Sequence, residues 1–265
     1  SVYAKSFSWA GYFLPKEKLI ECSALYDFCR IADNIADDEE GIENKLKKFT
    51  QFENDFHKKN FKNSIIKNMW DLIEEFDISL KVVHDLLLGI KSDIRTEVKL
   101  DSKKDLLIYS YRVAGTVGLM MAKILKVNKK NSLKSAIDLG IAMQLTNISR
   151  DVIEDAKNNR FYINKDFGEI SSTINLAETF YENSFYSIKD IPIGFRFSIL
   201  VARRVYRKIG LKILNKKNLE NYQNSGKIYV STTEKILETF LSILDLIKLS
   251  FSYKRDDQIQ HDHNL

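Results

Sequence analysis

"KEKLIECSALYDFCRIADNIADD", residues 16–38, follows Pro15 and sets Leu19, Cys22, Leu25, Tyr26, Cys29 and Ala32 at steps of three and four. That spacing brings apolar side chains back to one face on every turn of an α-helix, and a proline at the entrance suits a first turn whose N–H groups have no partner. The stretch therefore reads as a helix over about 16–38. Near its C-terminal end Asp33 and Asp37 project from the same face, about 6 Å apart along the axis. Far downstream, "NISRDVIED" (147–155) repeats the device with Asp151 and Asp155, and Asn147 stands one turn earlier. Each pair has an arginine beside it, Arg30 and Arg150.

Working outward, further helical periodicity covers roughly 42–58, 61–76, 79–90, 103–126, 131–157, 172–188, 193–217 and 231–252. No segment alternates with period two long enough to make a strand, and 2 prolines and 10 glycines in 265 residues leave few turn signals. The expectation is an all-α, single-domain bundle of eight or more helices over 1–253, followed by a polar tail, 254–265 ("KRDDQIQHDHNL"). The 41 basic and 36 acidic residues leave a net charge of +5, spread as on a solvated surface, so nucleic acid is not an expected partner. No run of 18 apolar residues is present to span a membrane.

Cys22 and Cys29 lie seven apart on one helix, about 10 Å between Cα atoms, too far for a disulfide. They read as reduced core residues of a cytosolic protein, and His57, His84, His261 and His263 form no zinc-ligand spacing with them. The opening "SVYAKSFSWAGYFLP" is too polar for a signal peptide, and a few natural residues are expected to precede Ser1. The localisation expected is cytoplasmic. "YFLPKEKLI" (12–20) is amphipathic enough to touch the inner face of a membrane from one side.

Like charges four apart destabilise a bare helix slightly, and a hard divalent cation relieves the repulsion through carboxylate and amide oxygens. Taken alone, either aspartate pair is more often solvated surface. Three features tip the balance toward two facing helices that grip a diphosphate through magnesium. The pairs sit in apolar surroundings ("LYDFC", "LGIAMQLTNI"); Arg30 and Arg150 are placed to clamp phosphate oxygens; and "SYRVAGTVGLMMAKIL" (110–125) is an apolar run rich in small residues. Those small residues serve either close helix packing or a hollow bundle for a long apolar ligand.

These blocks resemble the squalene and phytoene synthase family, the trans-isoprenyl diphosphate synthases that join two prenyl diphosphates head to head. "KSFSWAGYFLP" (5–15), "LYDFCRIADNIADD" (25–38), "YRVAGTVG" (111–118), "MQLTNISRDVIEDAKNNRFYI" (143–163), "ARRVYRKIG" (202–210) and "GKIYVS" (226–231) follow the family's order, with Asn34 and Tyr3 as departures. The resemblance implies an isoprenoid-synthase helical bundle with a central apolar cavity and both acidic helices at its mouth. It implies magnesium, with manganese as a substitute, on Asp33, Asp37, Asn147, Asp151 and Asp155. It places Lys5, Ser6, Tyr26, Arg30, Gln144, Arg150, Tyr206 and Lys227 on prenyl diphosphate substrates.

Ionising an allylic diphosphate leaves a carbocation that aromatic and aliphatic walls must shelter from water. Phe7, Tyr26, Phe28 and Tyr111 are candidates for those walls, and Tyr111 is also a catalytic candidate. With no nicotinamide motif in view, NADPH is not expected. The wording of the blocks favours two geranylgeranyl diphosphates joined to 15-cis-phytoene in carotenoid biosynthesis. Dehydrosqualene or squalene from two farnesyl diphosphates is the enzymatic alternative, and an inactive prenyl-diphosphate-binding helical protein is the other. Oligomeric state is not legible.

Overall fold

In the computed structural model, residues 8–251 are described. The entrance helix α1 (Lys16–Asp37) is followed by α2 (Ile42–His57), α3 (Ser64–Phe76), α4 (Leu80–Lys91), β1 (Val98–Lys99) and α5 (Lys103–Ser110). Next come α6 (Thr116–Ile124), α7 (Lys130–Lys157), β2 (Arg160–Phe161), α8 (Phe167–Phe185), α9 (Ile193–Leu214), α10 (Leu219–Asn224) and α11 (Thr232–Ser250). The fold is the all-α one expected. No helix among the described residues is long and apolar enough to cross a membrane.

The differences from the sequence reading have local causes. The helix expected over 103–126 is interrupted at Tyr111–Gly115 by a π-helical turn. There α4 passes so close that a Cβ on Gly89 would stand 2.6 Å from Cβ of Arg112. The helix expected from 172 begins at Phe167, because the Asp166 side chain accepts from the Glu169 N–H at 2.9 Å and caps it. The short α10 has no counterpart in the sequence reading; Asn218 caps it, and the chain turns soon after through Gly226 at φ +63°. A two-residue parallel pair, Val98 opposite Arg160 and Lys99 opposite Phe161, is too short to leave a period in the sequence.

The core forms two apolar clusters. One unites α1 to α4 with α6 around Phe28, Phe49, Phe56, Met69 and Met120. The other joins α5, α7, α8 and α9 around Leu145, Ile148, Tyr181, Val201 and Val205. The 28-residue α7, roughly 42 Å long, borders the seam between them. Its crossing with α6 settles the role of the small residues. A Cβ on Gly118 would lie 2.2 Å from the Ala136 carbonyl oxygen, and one on Gly140 2.3 Å from that of Ala114. Glycine is what lets these two backbones touch, so packing is one use of the run, while Val113, Ala114, Val117 and Gly118 also face a cavity.

Candidate active site

That cavity occupies about 1100 Å³ along the seam, at the top of the range for small-molecule sites. Its mouth is polar and its shaft apolar. Leu139, Met121, Leu125, Val127, Ile188 and Ile199 belong to the apolar wall. One side of the mouth is α1, which contributes Tyr26, Arg30, Asp33 and Asp37; the other is α7, with Gln144, Asn147, Arg150, Asp151 and Asp155. Both carboxylate pairs line this one cavity. Tyr206 from α9 and Lys227 from the segment before α11 complete the set.

Several charges at the mouth are engaged with one another. Arg150, buried, lays its Nε on Asp151 Oδ1 at 2.8 Å and its Nη2 on the other carboxylate oxygen. Tyr222 fixes this part of α7 by donating to the backbone oxygens of Ser149 and Arg150 at 2.9 and 2.7 Å. Lys227 bonds Glu154 at 2.5 Å and lies 3.8 Å from Asp151. Arg160, just past the end of α7, reaches across to Asp37 at 2.7 Å and ties the two sides together.

Several lining residues are not among the candidates named from the sequence. Asp93, in the turn after α4, accepts from the Tyr109 hydroxyl at 2.6 Å. Tyr109 lies 3.1 Å from the Tyr162 hydroxyl, and the two rings stack with centroids 4.7 Å apart. All three line the cavity, as does Arg160. Asp93 stands in "GIKSDI" with no helical partner, and Arg160 follows the end of a helix, so neither belongs to a periodic pattern. Tyr109 sits two residues before Tyr111, the candidate from sequence. Two residues apart on a helix, they face opposite sides: Tyr111 donates to Asp85 at 3.3 Å and is not among the cavity-lining residues. Phe28 likewise leaves the wall set; it is fully buried against Phe52 and Phe56. Lys5, Ser6 and Phe7, with the tail 254–265, lie outside the described residues. Both cysteines are free, and burial pushes the Cys22 thiol up to about 12.

Asp33 lines the cavity and its side chain is open to it. Loss of hydration inside the cleft, with Asp37 and Asp93 nearby, pushes it up to about 7, against an opposing pull from Arg160. Asp155 is raised to about 7 by burial and by Asp151. Burial lifts Asp93 to about 6, its bond from Tyr109 holding it lower than burial alone would. Among the described residues no three histidine, cysteine or carboxylate side chains converge on a single ion position. The donors instead form two facing groups. They suit a cation that takes one or two carboxylates from each and completes its shell with water and phosphate oxygens, the habit of magnesium. The buried Asn147 Oδ1 has no hydrogen-bond partner, and neither has Asp93 Oδ1, so oxygen lone pairs are left over at the mouth.

These shifts set a pH dependence. A carboxyl raised in the folded state keeps a proton that the unfolded chain has already released. Stability from Asp33 and Asp155 is therefore greatest below the ordinary carboxylate range and falls as pH rises from about 4 to about 7. A divalent cation binds the ionised form and so offsets the loss. Magnesium is expected to raise the unfolding temperature more at about pH 8 than at about pH 5. Equal shifts in calorimetry at the two pH values would count against these carboxylates as its ligands.

Comparison with known proteins identifies a family and a shared fold. Residues 2–167 match the squalene/phytoene synthase family. The 15-cis-phytoene synthase of Enterobacter agglomerans is 28% identical over 245 residues, covering 80% of this chain and 83% of that protein. The 15-cis-phytoene synthase of a Paracoccus species is 37% identical over 147 residues, 49% of this chain and 48% of that one. A crystal structure of a dehydrosqualene synthase in complex with ligand superposes with a TM-score of 0.79 at 29% identity, over 92% of this chain and 93% of the other. The squalene synthase HpnC from Alicyclobacillus acidocaldarius shares the fold at a TM-score of 0.69 and 18% identity, covering 82% and 89%.

Proposed function

The chain belongs to the squalene/phytoene synthase family, and we propose that it joins two geranylgeranyl diphosphates to 15-cis-phytoene through a cyclopropylcarbinyl (prephytoene) diphosphate. The observation that carries this reading is a cavity of about 1100 Å³ whose lining joins carboxylates and arginines to a run of apolar side chains. Such a shape suits two amphiphiles whose charged heads meet at one end while their chains lie side by side. The relatives named as phytoene synthases support the C20 choice over C15.

In this reading Asp33, Asp37, Asn147, Asp151 and Asp155 hold magnesium. Magnesium, when bound, neutralises the diphosphate and makes it a better leaving group. The chain's own cations do the rest of the anion binding. Arg30 lines the same opening and can turn to a phosphate; Arg150, Arg160 and Lys227 can exchange carboxylate partners for phosphate oxygens of the same geometry. Gln144 and Tyr206 border the same space. Deeper in, Val117, Met121, Leu139 and Met143 exclude water from the cation.

Among the described residues no histidine lines the cavity. The final proton therefore falls to departing diphosphate, to water or to a tyrosine hydroxyl, and Tyr109, aligned by Asp93, is the best-placed phenol. Hydride delivery is not part of this reaction, so NADPH is not required.

The superposition on a dehydrosqualene synthase favours one second reading, the same condensation of two farnesyl diphosphates. Incubation with geranylgeranyl diphosphate and magnesium alone should yield a C40 hydrocarbon with a central conjugated triene, read by mass and absorbance. Product from farnesyl diphosphate only would select the second reading. Squalene formed only with NADPH, and no C40 product, would overturn the phytoene assignment; no diphosphate release from either substrate would leave a binding protein.

A further inference from the structure

One face of α7 lines the cavity from end to end. Asp151, Asn147, Met143, Leu139, Ser135 and Ser132 follow one another at steps of four and, last, three residues, and all six border the same space. Sixteen residues separate Asp151 at the mouth from Ser135, about 24 Å along the helix axis. The far end is closed where two connections meet. The loop after α6 brings Val127, and the 3₁₀ turn Tyr186–Asp190 between α8 and α9 brings Ser187 and Ile188. Hydrogen bonds lace these pieces together. The Ser135 and Ser187 hydroxyl oxygens stand 2.7 Å apart, Ser132 donates to Asp190 at 2.5 Å, and Lys129 donates to the other oxygen of that carboxylate at 2.7 Å. Ser132, Ser135 and Ser187 are all buried.

We propose, resting on the reading of this cavity as a prenyl-diphosphate site, that the Ser135–Ser187 pair is the floor that selects chain length. Its small side chains leave room for a fourth isoprene unit. An isoprene unit adds four main-chain bonds of about 1.5 Å, or roughly 5 Å in zigzag. With the head of the chain at the mouth, four units come to about 20 Å and end within van der Waals reach of the pair, whereas three end about 9 Å above it. A floor discriminates only if it does not yield, and this one is pinned from both sides. Ser135 and Ser132 hold α7, Ser187 and Asp190 hold the facing turn, and the two are joined by hydrogen bonds as well as by packing. Each serine of the pair has the other as its partner, so the end of a hydrocarbon chain meets no orphaned hydroxyl there. A leucine at either position would fill the space that the last unit takes.

The test is calorimetric binding, with magnesium, of the farnesyl and geranylgeranyl thiolodiphosphates, analogues whose C–S bond does not ionise. The wild-type chain should favour the longer one. In the series Ser135→Ala, Ser135→Val, Ser135→Leu that preference should fall with side-chain volume, by about a hundredfold at leucine, as expected when a pocket loses apolar room. Ser187→Leu should do the same from the opposite wall, and with Ser135→Val it reads the floor if Ser135→Leu loses its helical circular dichroism signal. Equal binding of the two analogues by the wild type, a loss as large at alanine as at leucine, or an unchanged preference at leucine would each overturn the proposal. So would an equal loss of affinity for both analogues, since a floor touches only the longer chain. Binding does not depend on turnover. A wild-type chain that prefers the longer analogue yet makes only a C30 product would refute the proposed reaction and leave the floor standing; binding of neither analogue would overturn both.

Discussion

Asp33→Asn is expected to lower turnover by about a thousandfold or more while leaving the helical fold intact, because in the proposed reading it removes a carboxylate that would hold the magnesium neutralising the departing diphosphate. Asp151→Asn should do the same from the opposite side of the mouth. The two variants should part company in stability. Asp33 is raised to about 7 by desolvation in the cleft and by the charges of Asp37 and Asp93, so making it neutral relieves repulsion and should maintain or raise the unfolding temperature above neutral pH. Asp151 is the carboxylate on which the buried Arg150 lies, and its loss should lower that temperature. Diphosphate release under limiting and saturating magnesium, followed beside thermal unfolding, separates the effects. Full activity of both variants at limiting magnesium would sink the metal assignment.

Gly118→Val is expected to destabilise the fold by about 4 kcal/mol or more, among the largest effects a single substitution produces. The new Cβ would meet the Ala136 carbonyl oxygen at 2.2 Å, a backbone atom that no side-chain rotation can move. Gly140 faces Ala114 in the same way, so α6 and α7 would have to separate along the crossing that also walls the cavity. Gly194, at the start of α9, serves as the control, since a Cβ added there would meet nothing within 4 Å. Gly194→Ala should change stability by less than about 1 kcal/mol. Urea denaturation reads both; an unchanged midpoint for Gly118→Val would mean the helices do not touch there.

The aspartate pairs are legible in the sequence because helix period and side-chain chemistry are both local. Four residues make about one turn, and Asp33 with Asp37, or Asp151 with Asp155, share a face whatever lies opposite. The main helices are legible for the same reason, and their ends are clearest where a cap is written into the chain, as at Pro15 before α1. At Asp166 the cap is equally local, so the true start of α8 is encoded in the sequence although apolar periodicity alone places it later. The choice between Tyr109 and Tyr111 is of another kind. Two positions apart on one run, they point to opposite sides of a helix, and which side meets the cavity depends on the elements packed there, which no local pattern encodes.

The sequence by itself determined an all-α chain, its two carboxylate pairs and the family to which these belong, since periodicity and motif spacing are properties of neighbours along the chain. Tertiary structure decided that Asp93 and Tyr109 line the same cavity as Tyr162 and Arg160, that Phe28 belongs to the core, and that α11 shows its apolar face to the outside. Each of those facts depends on which element packs on which. A carboxylate in a turn gains meaning only from the tyrosine brought 2.6 Å from it. An amphipathic helix can bury either face; the basic residues of α9 drew the acids of α11 inward and left its apolar arc uncovered.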